Sequence, residues 1–522
     1  MTKKDKVERI IPIEVSLWDA AIKLRGSVES AEYKHVVLGL IFLKFASDKF
    51  EEHRKALIAK GQEKYIERPE FYNLENVFFL DEISRWSYII QNSKQNDIAL
   101  KIDTALHNIE KNNKSLKGAL PDNYFSRLGL DMTKLSSLLD TINDIDTLKD
   151  KEQDLVGRVY EYFLSKFALA EGKGKGEFYT PKSIVKLITE LIEPYKGTIY
   201  DPACGSGGMF VQSIKFVESH HGNKKEISIY GQEYTNTTYK LAKMNLAIRG
   251  ISGNLGEKAA DTFGEDQHKD LKADFVLANF PFNQKDWRAE NELLNDHRWR
   301  GYDVPPKSNA NYAWILNTVS KLSDNGVAGF ILANGALSGG GEEYKIRKQL
   351  IENHLVETIF LLPKSMFYTT PISVSIWILN KNKRHQVKRI GDKQCTFRNR
   401  EKEILFMDLR QIGESFEKKF IQFNDEQIKT ISNTYHEWRL ENNEYKDIPE
   451  YCYSASFDEV SKKDFSLVPS KYIEFVNRDE KIDFDEKMRI LQNEFIDLLN
   501  AESQSKTDLL SVFKELGYEI KL

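Results

Sequence analysis

The chain has 522 residues, with 75 Lys+Arg against 79 Asp+Glu and a formal net charge of −4. That length exceeds one ordinary domain, and 41% hydrophobic with 30% charged residues is a globular balance that excludes a largely disordered chain. Three scattered cysteines (Cys204, Cys395, Cys452) lack CxxC spacing, which excludes a disulfide framework or zinc ribbon, and the near-neutral total announces no nucleic-acid binder. Residues 1–10 lack the apolar core of a signal peptide. The longest apolar run, Val36 to Leu43, is far short of a membrane span, so a cytoplasmic location is expected.

Residues 1–165 read as a helical N-terminal domain. Within them the apolar positions Val36, Val37, Leu40, Ile41, Leu43, Phe45 and Ala46 predict a buried helix over Tyr33–Phe50. From about residue 166 the texture changes to β-rich runs alternating with helical ones. The runs are Thr198–Pro202, Ile227–Gln232, Phe275–Ala278, Val327–Ala333, Glu357–Leu362 and Val374–Leu379. Strands separated by helices imply an α/β fold with a doubly wound, mostly parallel sheet, here over residues 166–479. Val374–Leu379 and Ile404–Met407 are joined by a segment without helical pattern and are expected to form an antiparallel hairpin at one edge. That connection, Lys381 to Lys402, carries nine Lys/Arg and reads either as a phosphate-tracking surface or as a solvated hairpin. Residues 480–522 form a helical tail. Phe484, Met488, Leu491, Phe495 and Leu498 fall in a heptad seam that resumes, after a polar break at Ser503–Lys506, with Leu509, Val512 and Leu516.

Four expected strand ends carry chemistry. Tyr200-Asp-Pro-Ala-Cys-Gly-Ser-Gly-Gly-Met-Phe210 is a strand running into a glycine turn and a helix, where a ligand meets free backbone N–H groups. Phe210 stands where a dinucleotide fingerprint has its third glycine, and Asp201 would repel a pyrophosphate, so a nicotinamide cofactor is disfavoured. An acid at that place suits a ligand with a positive amino or sulfonium group. Glu233, closing the second strand, can accept from ribose hydroxyls, and Asp261, read as a third acidic strand end, from an adenine amino group. In this order the elements fit S-adenosylmethionine. The fourth strand ends in Asn279-Phe280-Pro281-Phe282. An Asn carbonyl and a neighbouring backbone carbonyl can accept both hydrogens of an exocyclic amine, and Phe282 can stack on an extruded base.

These residues resemble the amino-methyltransferase pattern of DNA adenine-N6 methyltransferases. The whole chain is similar to the modification (M) subunits of type I restriction–modification systems. Gly176-Glu-Phe-Tyr-Thr-Pro181, Val304-Pro-Pro-Lys-Ser-Asn-Ala-Asn-Tyr-Ala-Trp314, Ala333-Asn-Gly-Ala-Leu-Ser-Gly-Gly340, Ile346-Arg-Lys-Gln-Leu350, Leu24-Arg-Gly26 and Leu467-Val-Pro-Ser-Lys-Tyr472 carry the likeness along the chain. It implies a Rossmann-like class I fold and methyl transfer from S-adenosyl-L-methionine to N6 of adenine in double-stranded DNA. It also implies a separate specificity (S) subunit, a second copy of the M subunit and a restriction (R) subunit. Glu177, Phe178, Tyr179, Thr180, Pro181, Asp201, Gly205, Ser206, Gly207, Gly208, Glu233 and Asp261 are the expected cofactor residues; no metal is expected. Asn279 and the Phe280 carbonyl would hold N6, with Pro281 shaping the turn and Phe282 stacking. The family pattern is usually Asn-Pro-Pro-Phe, so Phe280 is a departure, and Phe367-Tyr-Thr-Thr-Pro-Ile372 departs from the family's glycine-containing segment.

Other readings use the same residues. An RNA or protein-glutamine methyltransferase could use Asn-x-Pro with the same cofactor, and a non-catalytic assembly subunit could retain the fold, although the intact Asn279–Phe282 turn speaks against the latter. By chemistry alone, adenine N6 and cytosine N4 both suit the carbonyl pair. Cys204 lies inside the glycine turn with no Pro-Cys, which speaks against a cytosine-C5 nucleophile. No GxxxxGK[ST] occurs, so no P-loop motor is expected.

Overall fold

The computed structural model describes residues 17–19, 22, 30–75, 77–145, 162–163, 166, 180–367, 371–391, 393–416, 419–442, 444–476 and 484–515. The chain divides into two compact units, Met1–Ile473 and Glu474–Leu522.

The first unit begins with helices. α1 (Ser30–Ala59) extends beyond the expected Tyr33–Phe50, and its centre, Val36 to Leu43, is buried on every side. A helix that is apolar all round must be enclosed, and α2 (Ile98–Asn112) and α3 (Met132–Asn143) contribute to its core. Asp131 starts α3 by accepting the N–H groups of Thr133 and Lys134 at 2.9 and 3.1 Å. Buried Asp103 on α2 gathers the N–H groups of Tyr124, Phe125 and Ser126, each at 2.9 Å.

The rest of the first unit is built on a nine-stranded sheet ordered β3-β2-β1-β4-β5-β7-β6-β10-β13. Its strands are β1 (Gly197–Asp201), β2 (Ile227–Gly231), β3 (Gly253–Asn254), β4 (Ala273–Asn279), β5 (Leu322–Ala333), β6 (Val356–Leu361), β7 (Val374–Asn380), β10 (Glu403–Asp408) and β13 (Cys452–Ser456). All neighbours are parallel except that β7 runs against β5 and β6, and β13 against β10. Alternate residues face opposite layers: Ile199, Leu277 and Ile331 join one core, Tyr200, Val276 and Phe330 the other. The first core takes α4 (Lys182–Ile192), α5 (Gly208–Ser219), α6 (Asn236–Ile248) and α9 (Asp425–Arg439). The second takes α7 (Asn311–Lys321) and α8 (Gly341–Glu352). Leu241, Met244 and Ile248 of α6 also enter the N-terminal helical core. Lys240 and Lys243 clamp the junction by donating to the carbonyls of Leu120 and Lys117 at 3.1 and 2.9 Å.

The sheet is doubly wound and mostly parallel as expected, but one pairing differs. Val374–Leu379 and Ile404–Met407 are not hairpin partners. β7 lies inside the sheet between β5 and β6, and β10 pairs in parallel with β6. The physical reason is burial: every residue of β7 is buried, which suits a central strand covered on both faces. The connection holds its own hairpin, β8 (Gln386–Ile390) with β9 (Lys393–Phe397), outside the main sheet. Much of its positive charge is spent internally. Arg400 is buried against Glu357 at 2.9 Å, Lys383 donates to the Val356 and Glu403 carbonyls, and Arg398 and Arg384 pair with Glu403 and Glu401.

The second unit contains α10 (Phe484–Glu515), a single helix running through the expected polar break at Ser503–Lys506. It has no buried residue, and the rings of Phe484 and Phe495 are 75% and 62% exposed. Leu516 lies outside the described residues.

Candidate active site

The strand order reverses between β1 and β4, which lie side by side, and ligands of open α/β sheets bind at such a point beyond the carboxyl ends. Asp201 closes β1 and Asn279 closes β4.

On the β1 side the chain turns through Gly205 (φ 53°) and Gly207 (φ 79°), a left-handed backbone that glycine adopts without strain, before α5 starts at Gly208. A Cβ built on Gly205 or Gly208 meets nothing within 4 Å, so both face open space. A Cβ on Gly231 would instead meet the Phe210 ring at 2.9 Å. Phe210 therefore fills the strand–helix contact that a third glycine would otherwise make tight. Asn245 steadies the turn by donating to the Ser206 carbonyl at 2.7 Å.

Asp201 is 1% exposed and accepts the Ala203 N–H at 3.0 Å. Burial pushes its carboxyl well above the usual carboxylate range; the Ala203 N–H pulls it back and the Glu233 charge adds to the rise. Glu233 accepts the N–H groups of Gly205 and Thr235 at 3.0 and 2.8 Å, tying β2 to the glycine turn. Tyr234 beside it is 75% exposed. Cys204 is buried, and burial together with Asp201 and Glu233 pushes its thiol up, a packing residue rather than a nucleophile.

Asp261 is not a strand end. β3 stops at Asn254, and Asp261 lies in the following loop, where its carboxylate accepts Phe263 N–H at 3.1 Å and Gly264 N–H at 3.2 Å. The loop is brought back beside β2 by Gln232. That buried side chain donates to the Ala260 and Glu265 carbonyls and accepts the Gln267 N–H. Gln232 went unrecognised in the sequence; a polar residue between Gly231 and Glu233 was its signal.

On the β4 side, Asn279 is 9% exposed. Its Nδ2 donates to Thr180 Oγ1 at 2.9 Å, and its Oδ1 is buried with no hydrogen-bond partner among the described residues. The side chain of Phe280 is fully buried and lies face to face on Trp314, with centroids 5.2 Å apart at 9°. The larger residue is thus absorbed by an aromatic partner. Phe282 is half-buried and meets Phe367 edge-on at 5.9 Å. The turn is closed behind it: Asn283, at φ 52°, donates its N–H to Asn311 Oδ1 at 3.0 Å and accepts Asn311 Nδ2 at 2.9 Å. Within the Val304–Trp314 flank, Asn311 at the start of α7 therefore anchors the turn that follows β4. At the end of the neighbouring β5, Asn334 repeats the arrangement of Asn279. Its Nδ2 reaches Ser373 Oγ at 3.2 Å, and its Oδ1 is unpartnered among the described residues. Pro181 caps α4 from the segment that brings Thr180 to Asn279. Glu177, Phe178 and Tyr179 lie outside the described residues.

Comparison with known proteins gives the chain's family. The N-6 DNA Methylase family model fits residues 151–481, and the HsdM N-terminal domain model fits residues 13–144. The type I restriction enzyme HindI methylase subunit of Haemophilus influenzae is 41% identical over 441 residues, covering 82% of this chain and 94% of that protein. The MjaIX methylase subunit of Methanocaldococcus jannaschii is 35% identical over 540 residues, covering 99% and 94%. In fold, the chain matches a type I restriction–modification methyltransferase subunit from Streptococcus thermophilus with a TM-score of 0.73 at 23% identity, covering 88% of this chain and 99% of that one. With models spanning the helical and sheet regions and relatives matched over nearly their whole length, the chain belongs to the N-6 DNA methylases, as an adenine-specific methyltransferase of the type I restriction enzyme methylase subunits.

Proposed function

We propose that the crevice between the ends of β1 and β4 binds S-adenosyl-L-methionine and an adenine extruded from double-stranded DNA. The observation that carries this reading is the Asn279 side chain: an acceptor oxygen, buried and unpartnered among the described residues, on an amide whose other end is anchored. A buried carbonyl without a donor costs about 1–3 kcal/mol, which a ligand amine there recovers.

The residues fit the cofactor. Gly205 and Gly208 leave room for close approach, Ser206 and Gly207 complete the turn, and buried Asp201 suits a positive group. Glu233 and Asp261 take the nucleoside side, and Glu177 to Pro181 the methionine end. When bound, S-adenosyl-L-methionine supplies a methyl group on a sulfonium that leaves readily. Asn279 Oδ1 and the Phe280 carbonyl accept the two N6 hydrogens, which directs the nitrogen lone pair out of the ring plane. Phe282 stacks on the base, and Pro281 removes a competing backbone donor. Extrusion costs roughly a few kcal/mol, and orientation of the amine supplies much of the acceleration.

In this reading residues 1–165 are a helical accessory domain, 166–479 the catalytic domain and 480–522 a docking tail. The chain works in the cytoplasm beside a specificity subunit that reads the DNA sequence, with a second copy of itself and a restriction subunit. No helix among the described residues is long and apolar enough to cross a membrane. The test is reconstitution with the specificity subunit, followed by hydrolysis of the methylated DNA. N6-methyladenine in a defined sequence context supports the reading; N4-methylcytosine, or label only in RNA or protein, overturns it.

A further inference from the structure

Between β4 and α7 the chain makes a long excursion over residues 283–310, and its most buried charge is Arg298, whose side chain is 2% exposed. Its guanidinium faces in two directions. Nε and Nη2 each donate to the Asp296 carboxylate at 2.7 Å, while Nη1 reaches the Thr262 carbonyl and Nη2 the Phe263 carbonyl, both at 2.8 Å. Burial alone would raise the Asp296 carboxyl, but the bonds from Arg298 outweigh it and hold the group below its ordinary range. Asp296 is thus an ionised anchor for the guanidinium.

The dipeptide Thr262-Phe263 that Arg298 grips touches three parts of the site. Thr262 Oγ1 donates to the Pro202 carbonyl at 2.6 Å, inside the glycine turn. The Phe263 N–H donates to the Asp261 carboxylate. The Phe263 ring packs between Trp287 and Trp314 with centroids 4.7 and 4.3 Å away, and Trp314 is the ring on which Phe280 lies. One dipeptide therefore sets the orientation of Asp261, the position of the glycine turn and the support of the catalytic turn. Its two carbonyls are satisfied from a single planar fork. A lysine ammonium cannot reproduce that bidentate geometry.

We propose that Arg298 is a positioning residue: through the carbonyls of Thr262 and Phe263 it holds the Asp261 turn for the nucleoside end of the cofactor and registers that turn against Asn279-Phe280. The proposal rests on the reading of Asp261 as a cofactor residue. Its mechanism is orientation. Small misplacements of reacting groups are costly, so the rate at saturating cofactor depends on this fork as well as the affinity does.

The experiment uses the full chain. Arg298→Lys, Asp261→Asn and the double variant are titrated with S-adenosylmethionine and with 5′-deoxy-5′-methylthioadenosine, which lacks the amino-acid end. Arg400→Lys, in the still more deeply buried pair with Glu357, is the stability control. Loss of bonds from a charged donor predicts about tenfold weaker binding by Arg298→Lys, by the same factor for both ligands. The double variant binds no weaker than the weaker single one, because both act on one turn. In the complex with the specificity subunit, the single-turnover rate of Arg298→Lys at saturating cofactor falls as well. Arg400→Lys melts lower yet binds both ligands as the unaltered chain does. Unaltered binding by Arg298→Lys with weakened Asp261→Asn overturns the role of Arg298 and leaves the cofactor reading standing. Unaltered binding by Asp261→Asn removes the cofactor reading, and the proposal with it. Equal losses in Arg298→Lys and Arg400→Lys reduce the effect to stability and also overturn it. Should Arg298→Lys fail to fold, Asp296→Asn replaces it, and a folded Asp296→Asn with undiminished affinity overturns the proposal.

Discussion

Asn279 Nδ2 donates to Thr180 Oγ1 at 2.9 Å, so the amide that closes β4 is held by the residue just before the Pro181 cap of α4. In this arrangement the hydroxyl accepts from the NH2, and the carbonyl oxygen is buried with no partner among the described residues. Thr180→Val removes the acceptor at nearly constant shape. The methylation rate at saturating cofactor is expected to fall several-fold to tenfold, about the worth of one neutral hydrogen bond. Thr180→Ser restores the rate. Single-turnover assays in the presence of the specificity subunit check this.

Phe280 is fully buried against Trp314 and Phe330, with ring centroids 5.2 Å away in each case. Phe280→Ala therefore costs about 3–5 kcal/mol of stability, the usual range for removing a buried ring. Phe280→Pro restores the family's more frequent turn but leaves the same hole under Trp314. A lower melting temperature with no gain in rate is the expected result. Unchanged melting would mean that Trp314 does not depend on this ring.

Asp201 predicts a proton linked to cofactor binding. Burial raises its carboxyl in the free chain, so it keeps its proton to higher pH than an ordinary aspartate. A cation nearby favours the ionised form and lowers that pKa on binding. Between the two values binding releases a proton, so affinity rises with pH across that window and is weakest below it. Calorimetry in two buffers of different ionisation enthalpy measures the release, and Asp201→Asn abolishes it.

The α10 helix exposes Phe484, Met488, Leu491, Phe495 and Leu498 along one heptad seam, each at least 45% accessible. Such a stripe fits a partner helix groove. Deletion from about residue 480 is expected to abolish co-purification with the specificity subunit while leaving cofactor affinity intact. Retained assembly would place docking elsewhere.

The glycine turn, Glu233 and the Asn279–Phe282 turn were legible because each is a local run of residue types at a strand end. What depended on distant pairing was not. The run Val374–Leu379 announced a strand, but its place between β5 and β6 is decided by which strand edges remain open after the parallel units form. Its unbroken burial was the cue for a central strand. Asp261 was singled out for its acidity, yet its position comes from Gln232 and Arg298, one 29 residues before and one 37 residues after it in the chain. Nothing local marks Arg298 as a support for carbonyls that only folding brings to it. The polar stretch Ser503–Lys506 interrupts the heptad spacing but not the helix, because all four residues stay exposed and polarity there costs nothing.

We propose that Asn279 Oδ1 orients the adenine amine rather than holding the cofactor or the fold. Asn279→Ala, assembled with the specificity subunit, tests it most directly by S-adenosylmethionine titration and single-turnover methylation of target DNA. The expected result is cofactor affinity within about twofold of the unaltered chain and no detectable N6-methyladenine. Normal turnover by the folded variant would contradict the account.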